Sequence, residues 1–171
     1  DPAAVRAALD AAVSRARDLD EGAPAAYIPE LARAPLEATS AAVTLTDGAT
    51  LAAGDADSHA FTLQSSAKLL LLAGLIEERG RDEVFRVVGR EPSGGGFASL
   101  ARLEQEPVPA NPLINAGAIA LAGLLDGALE DRLAFIEEWS ARLFGQALPV
   151  HQRVLVSERR TGDRNRAIAY L

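Results

Sequence analysis

The sequence predicts an α/β (α+β) chain that is mostly helical and carries one antiparallel hairpin near its N-terminal end. Three observations predict it. Apolar residues fill 49% of the 171 positions but aromatics only 5%, with alanine dominant, which favours closely packed helices over an aromatic-rich sheet sandwich. Asp47-Gly48 separates two short segments in which apolar residues alternate with threonine, a tight-hairpin signal. From residue 65 onward, apolar runs of helical length alternate with Gly/Pro loops.

Asp1 and Pro2 suit the cap and first position of a helix, and Val5, Leu9, Val13 and Ala16 form one stripe, so residues 3–19 are predicted helical. A Gly/Pro-rich connector, Glu21 to Pro24, leads to Tyr27-Ile28-Pro29-Glu30-Leu31. Strands are predicted over 42–46 and 50–53, then Phe61-Thr62-Leu63 as an extended lead. The segment from Ser65 is apolar nearly all round until Glu77, Glu78, Arg79 and a Gly80 stop, the pattern of a central buried helix. Further helices are predicted over 82–88, 115–125, 129–144 and 163–171, with Trp139 in the core. The glycine-rich Pro92-Ser93-Gly94-Gly95-Gly96 lacks the Gly-Lys-Ser/Thr of a phosphate loop and reads as a connection. The chain thus divides into 1–64, a helix plus the first sheet hairpin, and 65–171, the central helix with a helical subdomain.

A formal charge of −7 argues against nucleic acid or an anionic membrane as partner. The absence of cysteine excludes disulfides, thiolate catalysis and Cys-based metal sites. His59 and His151 are isolated and read as surface or loop residues, so no metal is expected. The apolar run Leu69 to Ile76 is too short to span a bilayer, and no export signal is visible, which leads to the expectation of a cytoplasmic protein. The chain has no methionine and its last helix runs to Leu171, so it is expected to be a fragment whose true start lies upstream.

The chemical signal is Lys68, the one lysine among 17 basic side chains, three positions after Ser65 in Gln64-Ser65-Ser66-Ala67-Lys68. Ser-x-x-Lys is an arrangement by which serine is activated without histidine. Arginine cannot serve, because its guanidinium stays protonated, whereas a desolvated lysine can release its proton. With nine serines in the chain, a lone lysine falls at this spacing by chance roughly one time in twenty. If Ser65 opens the central helix, residues i and i+3 share a face. The helix N-terminus favours developing negative charge, and the Ser65 N–H can donate to an oxyanion. A base working near neutrality needs the lysine brought from about 10.4 to roughly 7, about 4 kcal/mol of differential solvation. Burial among Leu69 to Leu72, with no acid within a helical turn, is the environment that does this. Ser66 competes as nucleophile but is only two residues from Lys68.

Five blocks then occur in order: Tyr-Ile-Pro-Glu-Leu at 27–31, Gln-Ser-Ser-Ala-Lys at 64–68, Val-Gly-Arg-Glu-Pro-Ser-Gly at 88–94, Asn-Pro-Leu-Ile-Asn-Ala-Gly-Ala-Ile at 111–119, and Ser-Glu-Arg-Arg-Thr-Gly-Asp-Arg-Asn at 157–165. Together they resemble the serine-dependent glutaminase family, from about residue 20 to the end. The resemblance implies a β-lactamase/transpeptidase-like fold, of which this chain holds a mostly helical portion and the first hairpin of an incomplete antiparallel sheet. It implies hydrolysis of L-glutamine to L-glutamate and ammonia through a glutamyl-serine intermediate, without cofactor, in a homo-oligomer (dimer or tetramer). By it, Ser65 is the nucleophile, Lys68 the general base, and Asn115, Glu158, Asn165 and Tyr27 line the substrate pocket. Two active-site tyrosines, a Lys-Ser-Gly strand segment and later strands are then expected beyond Leu171, and the 171-residue chain alone is expected to be inactive.

Read singly, those residues are ordinary. Asn115 would be a helix N-cap, Glu158 a solvated acid beside two arginines, Asn165 a surface helix residue and Tyr27 a packing residue. Jointly they suit glutamine: a carboxylate for its α-ammonium and amide donors for its α-carboxylate. The chain departs from the family's usual Ser-Ile-Ser-Lys at Ser66-Ala67, and carries Phe97-Ala98-Ser99 where the family usually shows Phe-Asn-Ser. Two other readings stand beside it: a penicillin-recognising hydrolase of the same fold, and a non-catalytic fragment or interaction domain.

Overall fold

A computed structural model describes residues 1–94 and 108–170 of the chain. Gly95, Gly96 and Phe97-Ala98-Ser99 lie outside the described residues. The chain forms two compact units, Asp1–Thr62 and Leu63–Leu171.

The first unit is a helix on a hairpin. Helix α1 (Pro2–Arg17) starts where Asp1 accepts from Ala3 N at 2.9 Å, with Pro2 in the first turn, and ends on Arg15 and Arg17, which suit the carbonyl end of its dipole. Val13 is buried, Val5 and Leu9 are half-buried, but Ala16 is exposed, so the apolar stripe is one turn shorter than predicted. Beyond Val13 the helix is held by an ion pair, Arg17 to Asp55 at 2.8 Å, rather than by apolar contact.

Strands β1 (Ser40–Thr44) and β2 (Thr50–Gly54) pair antiparallel, with Val43 opposite Leu51 and Thr44 opposite Thr50. The first strand lies two residues earlier than predicted. The loop closes on itself, Leu45 N donating to Ala49 O and Gly48 N to Leu45 O, and this takes Leu45 and Thr46 out of the ladder. Asp47 accepts from Ala49 N at 3.0 Å and Gly48 sits at φ 89°, as such turns require.

Asp55 ties the unit together. Its carboxylate accepts from Thr39 N at 2.9 Å and from Arg17, and these donors, the Thr39 N–H first, hold its carboxyl below the ordinary carboxylate range. A depressed folded pKa contributes stability that is present above the unfolded value, 3.8, and lost as pH falls through the folded one. Asp55→Asn is therefore expected to melt below wild type at pH 7, with the gap closing below about pH 3.8. Melting temperatures measured from pH 7 to 2 check this; a gap independent of pH contradicts it.

The second unit opens with a 3₁₀ turn, Gln64–Ser66, feeding helix α2 (Ala67–Arg79), which stops at Gly80 with φ 84°. Helices α3 (Arg81–Val87), α4 (Asn115–Ala122) and α5 (Leu129–Phe144) pack on α2. They cover Leu70, Leu71, Gly74 and Leu75 and leave Leu69 exposed, so α2 is central without being apolar-contacted all round. Leu71, Leu75, Val84, Val88, Leu121 and Leu125 form the core. Helix α4 stops three residues before the predicted Leu125, where Gly123, Leu124 and Leu125 turn back on carbonyls of its last turn.

Gly74 is where α2 meets α5: a Cβ there would lie 2.5 Å from Phe135 Cζ and 2.7 Å from Trp139 Cδ1. Trp139 is buried as predicted, its indole donating to Glu78 at 2.9 Å.

Helix α6 (Gln152–Thr161) escaped the sequence reading, because none of its residues is buried and charge interrupts its apolar pattern. His151 caps it, Nδ1 accepting from Val154 N at 3.3 Å, and both histidines are exposed. Helix α7 (Asp163–Tyr170) packs against α4. No helix among the described residues is long and apolar enough to cross a membrane.

Candidate active site

The site is built by two neighbouring chain segments. Gly89 N donates to Pro109 O at 2.8 Å and Glu91 N to Ala110 O at 3.0 Å, which pairs the 88–94 block with the start of the 111–119 block. Gly89 permits the approach, since a Cβ there would lie 2.5 Å from Ala110 O.

Asn111 folds the next turn. Its Oδ1 accepts from Leu113 N at 3.0 Å and Ile114 N at 3.2 Å, and its Nδ2 donates to Glu91 O at 2.9 Å. Pro112 is buried in the turn. The Asn111 backbone carbonyl presses against Gly117, where a Cβ would lie well inside contact of that oxygen, 2.8 Å from the Asn111 carbonyl carbon and 3.0 Å from Pro112 Cα. Asn111 and Gly117 thus each have a backbone reason for their place.

Onto this turn reaches the lysine. Lys68 Nζ donates to Leu113 O at 2.9 Å and to Asn115 Oδ1 at 2.7 Å, and Asn115 Nδ2 donates to Asn165 Oδ1 at 3.0 Å. Burial lowers the Lys68 pKa below its ordinary value. A neutral amine has two N–H donors and one lone pair. The two oxygens can accept both hydrogens of the deprotonated form.

Ser65 lies in the 3₁₀ turn and is exposed, so it precedes α2 rather than opening it. Just before it, Gln64 has φ +46°, the one positive φ of a non-glycine residue among the described residues, a strained conformation for a side chain with a Cβ. Leu63 is already helical in backbone, not extended as predicted. The first N–H groups of a helical turn have no partner within it, and they leave Ser65 at a donor-rich end.

The structure brings together Lys68, Asn115 and Asn165, from α2, α4 and α7. Asn115 is the first residue of α4 and not its cap; its side chain is committed to Lys68 and Asn165. Glu158 is half-buried on α6, and its carboxylate has no hydrogen-bond or ion-pair partner among the described residues. Tyr27 is exposed in a turn of the first unit, while its neighbour Ile28 does the packing. The sequence reading missed Asn111 and the Leu113 carbonyl. Asn111 carried a signal, an Asn two residues before an N–H it can accept; a backbone acceptor carries none. No group of three or more His, Asp or Glu that could hold a metal occurs among the described residues.

Comparison with known proteins identifies the family. The glutaminase family profile matches residues 22–171. The chain is 47% identical over 164 residues to a glutaminase of Legionella pneumophila (strain Lens), covering 95% of this chain and 53% of that protein. It is similar to the solved probable glutaminase ybaS with a TM-score of 0.92 and 35% identity, covering 99% of this chain and 55% of that one. A probable glutaminase from Bacillus subtilis, solved with 6-diazo-5-oxo-L-norleucine, matches with a TM-score of 0.80 and 30% identity over 96% of this chain and 50% of that one. The chain spans about half the length of the curated relatives it matches. The mostly helical fold with its two-stranded antiparallel sheet is that of these β-lactamase-like glutaminases, and the chain belongs to the glutaminase family.

Proposed function

We propose that the complete protein hydrolyses L-glutamine to L-glutamate and ammonia through an ester on Ser65. Ser65 Oγ attacks the side-chain amide carbon as its proton passes to Lys68 Nζ. The C–N bond then breaks, and Lys68 returns the proton to the leaving nitrogen, which departs as ammonia. Water attacks the ester, Lys68 takes its proton, the C–O bond to Ser65 breaks, and the serine regains its hydrogen.

The observation that supports this most is the chain Lys68–Asn115–Asn165, which holds a pKa-lowered amine three residues after an exposed serine. The unpartnered Glu158 suits the substrate ammonium. The amide hydrogens of Asn115 and Asn165 left over from the chain suit its α-carboxylate. Tyr27 is assigned to the substrate by family resemblance alone, as is a dimer or tetramer. The relatives found are glutaminases, which favours neither a penicillin-recognising hydrolase nor a non-catalytic domain.

The test is ammonia release by the full-length protein from L-glutamine, with L-asparagine and a β-lactam offered separately. The expected result is turnover of glutamine, with asparagine slower by about 10²-fold or more, since the shorter side chain misplaces the amide carbon. Hydrolysis of the β-lactam in preference to glutamine, or no turnover of any of the three, overturns the reading.

A further inference from the structure

Asn111 touches none of the residues proposed to react, yet two of its hydrogen bonds shape the turn that meets Lys68 and a third anchors that turn. Oδ1 accepts from Leu113 N and Ile114 N, which curls residues 111–114 so that the Leu113 carbonyl faces out to receive the Lys68 Nζ at 2.9 Å. Nδ2 ties the same turn to Glu91 O. The Asn111 backbone oxygen seats on Gly117, so the turn cannot slide along α4. The first residue of that helix is Asn115, the second acceptor of Lys68.

We infer that Asn111 is a positioning residue, whose side-chain carbonyl sets both acceptors of Lys68, Leu113 O and Asn115 Oδ1, and thereby the direction of the amine. The inference rests on the proposed role of Lys68 but makes a claim about geometry that can be read without activity. The two arms of the amide do separate jobs. Oδ1 shapes the turn toward Lys68, and Nδ2 anchors it to the 88–94 block. Aspartate at 111 keeps the accepting arm and loses the donor, leaving a carboxylate oxygen against Glu91 O.

In 13C-lysine labelling of the full-length protein, the signal lost in Lys68→Arg is that of Lys68 and reports its Cε. At fixed pH, Asn111→Ala is expected to move this signal, and Asn111→Asp to return it to the wild-type position. In ammonia release, Asn111→Ala is expected to lose kcat on the order of 10²-fold, because small misplacements of a base cost that much. Asn111→Asp is expected to keep kcat near wild type while melting lower. Should the alanine variant not fold, Asn111→Ser, whose hydroxyl accepts from the N–H two residues on, is read in its place with the same expectation as aspartate. An unmoved Cε signal in Asn111→Ala, or an Asn111→Asp (or Asn111→Ser) variant whose signal and kcat match a displaced Lys68, overturns the inference. If the wild type releases no ammonia, the glutaminase reading fails, while the Cε signals still decide the role of Asn111.

Discussion

Exchanging Lys68 for arginine is expected to lower kcat for glutamine by about 10²–10⁴-fold, the range that a positioned general base supplies, in a protein that still folds. Arginine keeps the positive charge and can still donate to Leu113 O and Asn115 Oδ1. It cannot give up its proton, so the variant separates charge from basicity. Ser65→Ala removes the proposed nucleophile and is expected to cost at least as much, and the double variant no more than the worse single one, because the proposed pair acts as a unit. Initial rates of ammonia release, with the folded fraction checked by circular dichroism, decide it. Near-normal turnover by Lys68→Arg would mean that Lys68 only holds charge. Burial in a site that lowers its pKa has a folding consequence as well. A lysine with a depressed folded pKa contributes stability above its unfolded value of 10.5 and loses it as pH falls through the folded one, so stability declines from the alkaline side as Lys68 takes up its proton.

Gly117→Ala is expected to destabilise the full-length protein by about 3 kcal/mol and to lower kcat with it. One methyl group is added, yet the atoms it meets are all backbone: the Asn111 carbonyl and Pro112 Cα. A flexible side chain could swing aside; these atoms cannot move unless the whole 111–114 turn lifts from α4. That turn holds Leu113 O on Lys68, so strain at Gly117 reaches the amine. Urea unfolding is expected to show a lower midpoint with an unchanged slope. An alanine variant with wild-type stability would contradict the close seating of the turn on α4.

Much of this was legible beforehand, and the successes share a cause. The Asp1-Pro2 start, the Asp47-Gly48 turn, the span of α5 and the burial of Trp139 rest on local preferences and on periodicity within one element. The failures share one too. Helix α6 was missed because nothing buries it, Ala16 and Leu69 are exposed because their neighbours stop short of them, and Gln64 is strained for reasons that no residue preference encodes.

For the site, the sequence by itself determined the groups available: one lysine, a serine three residues before it, and the carboxylate and amides proposed to meet glutamine. The tertiary structure decided which of these meet. It drew Asn115 away from the cap its position suggests and joined it to Lys68 and Asn165, residues 47 and 50 positions away. The physical reason is that a hydrogen bond across such a distance depends on how three helices pack. That packing is set by the core of α2, α3 and α4 and by the fit of a carbonyl against Gly117, neither of which can be read from the residues that react.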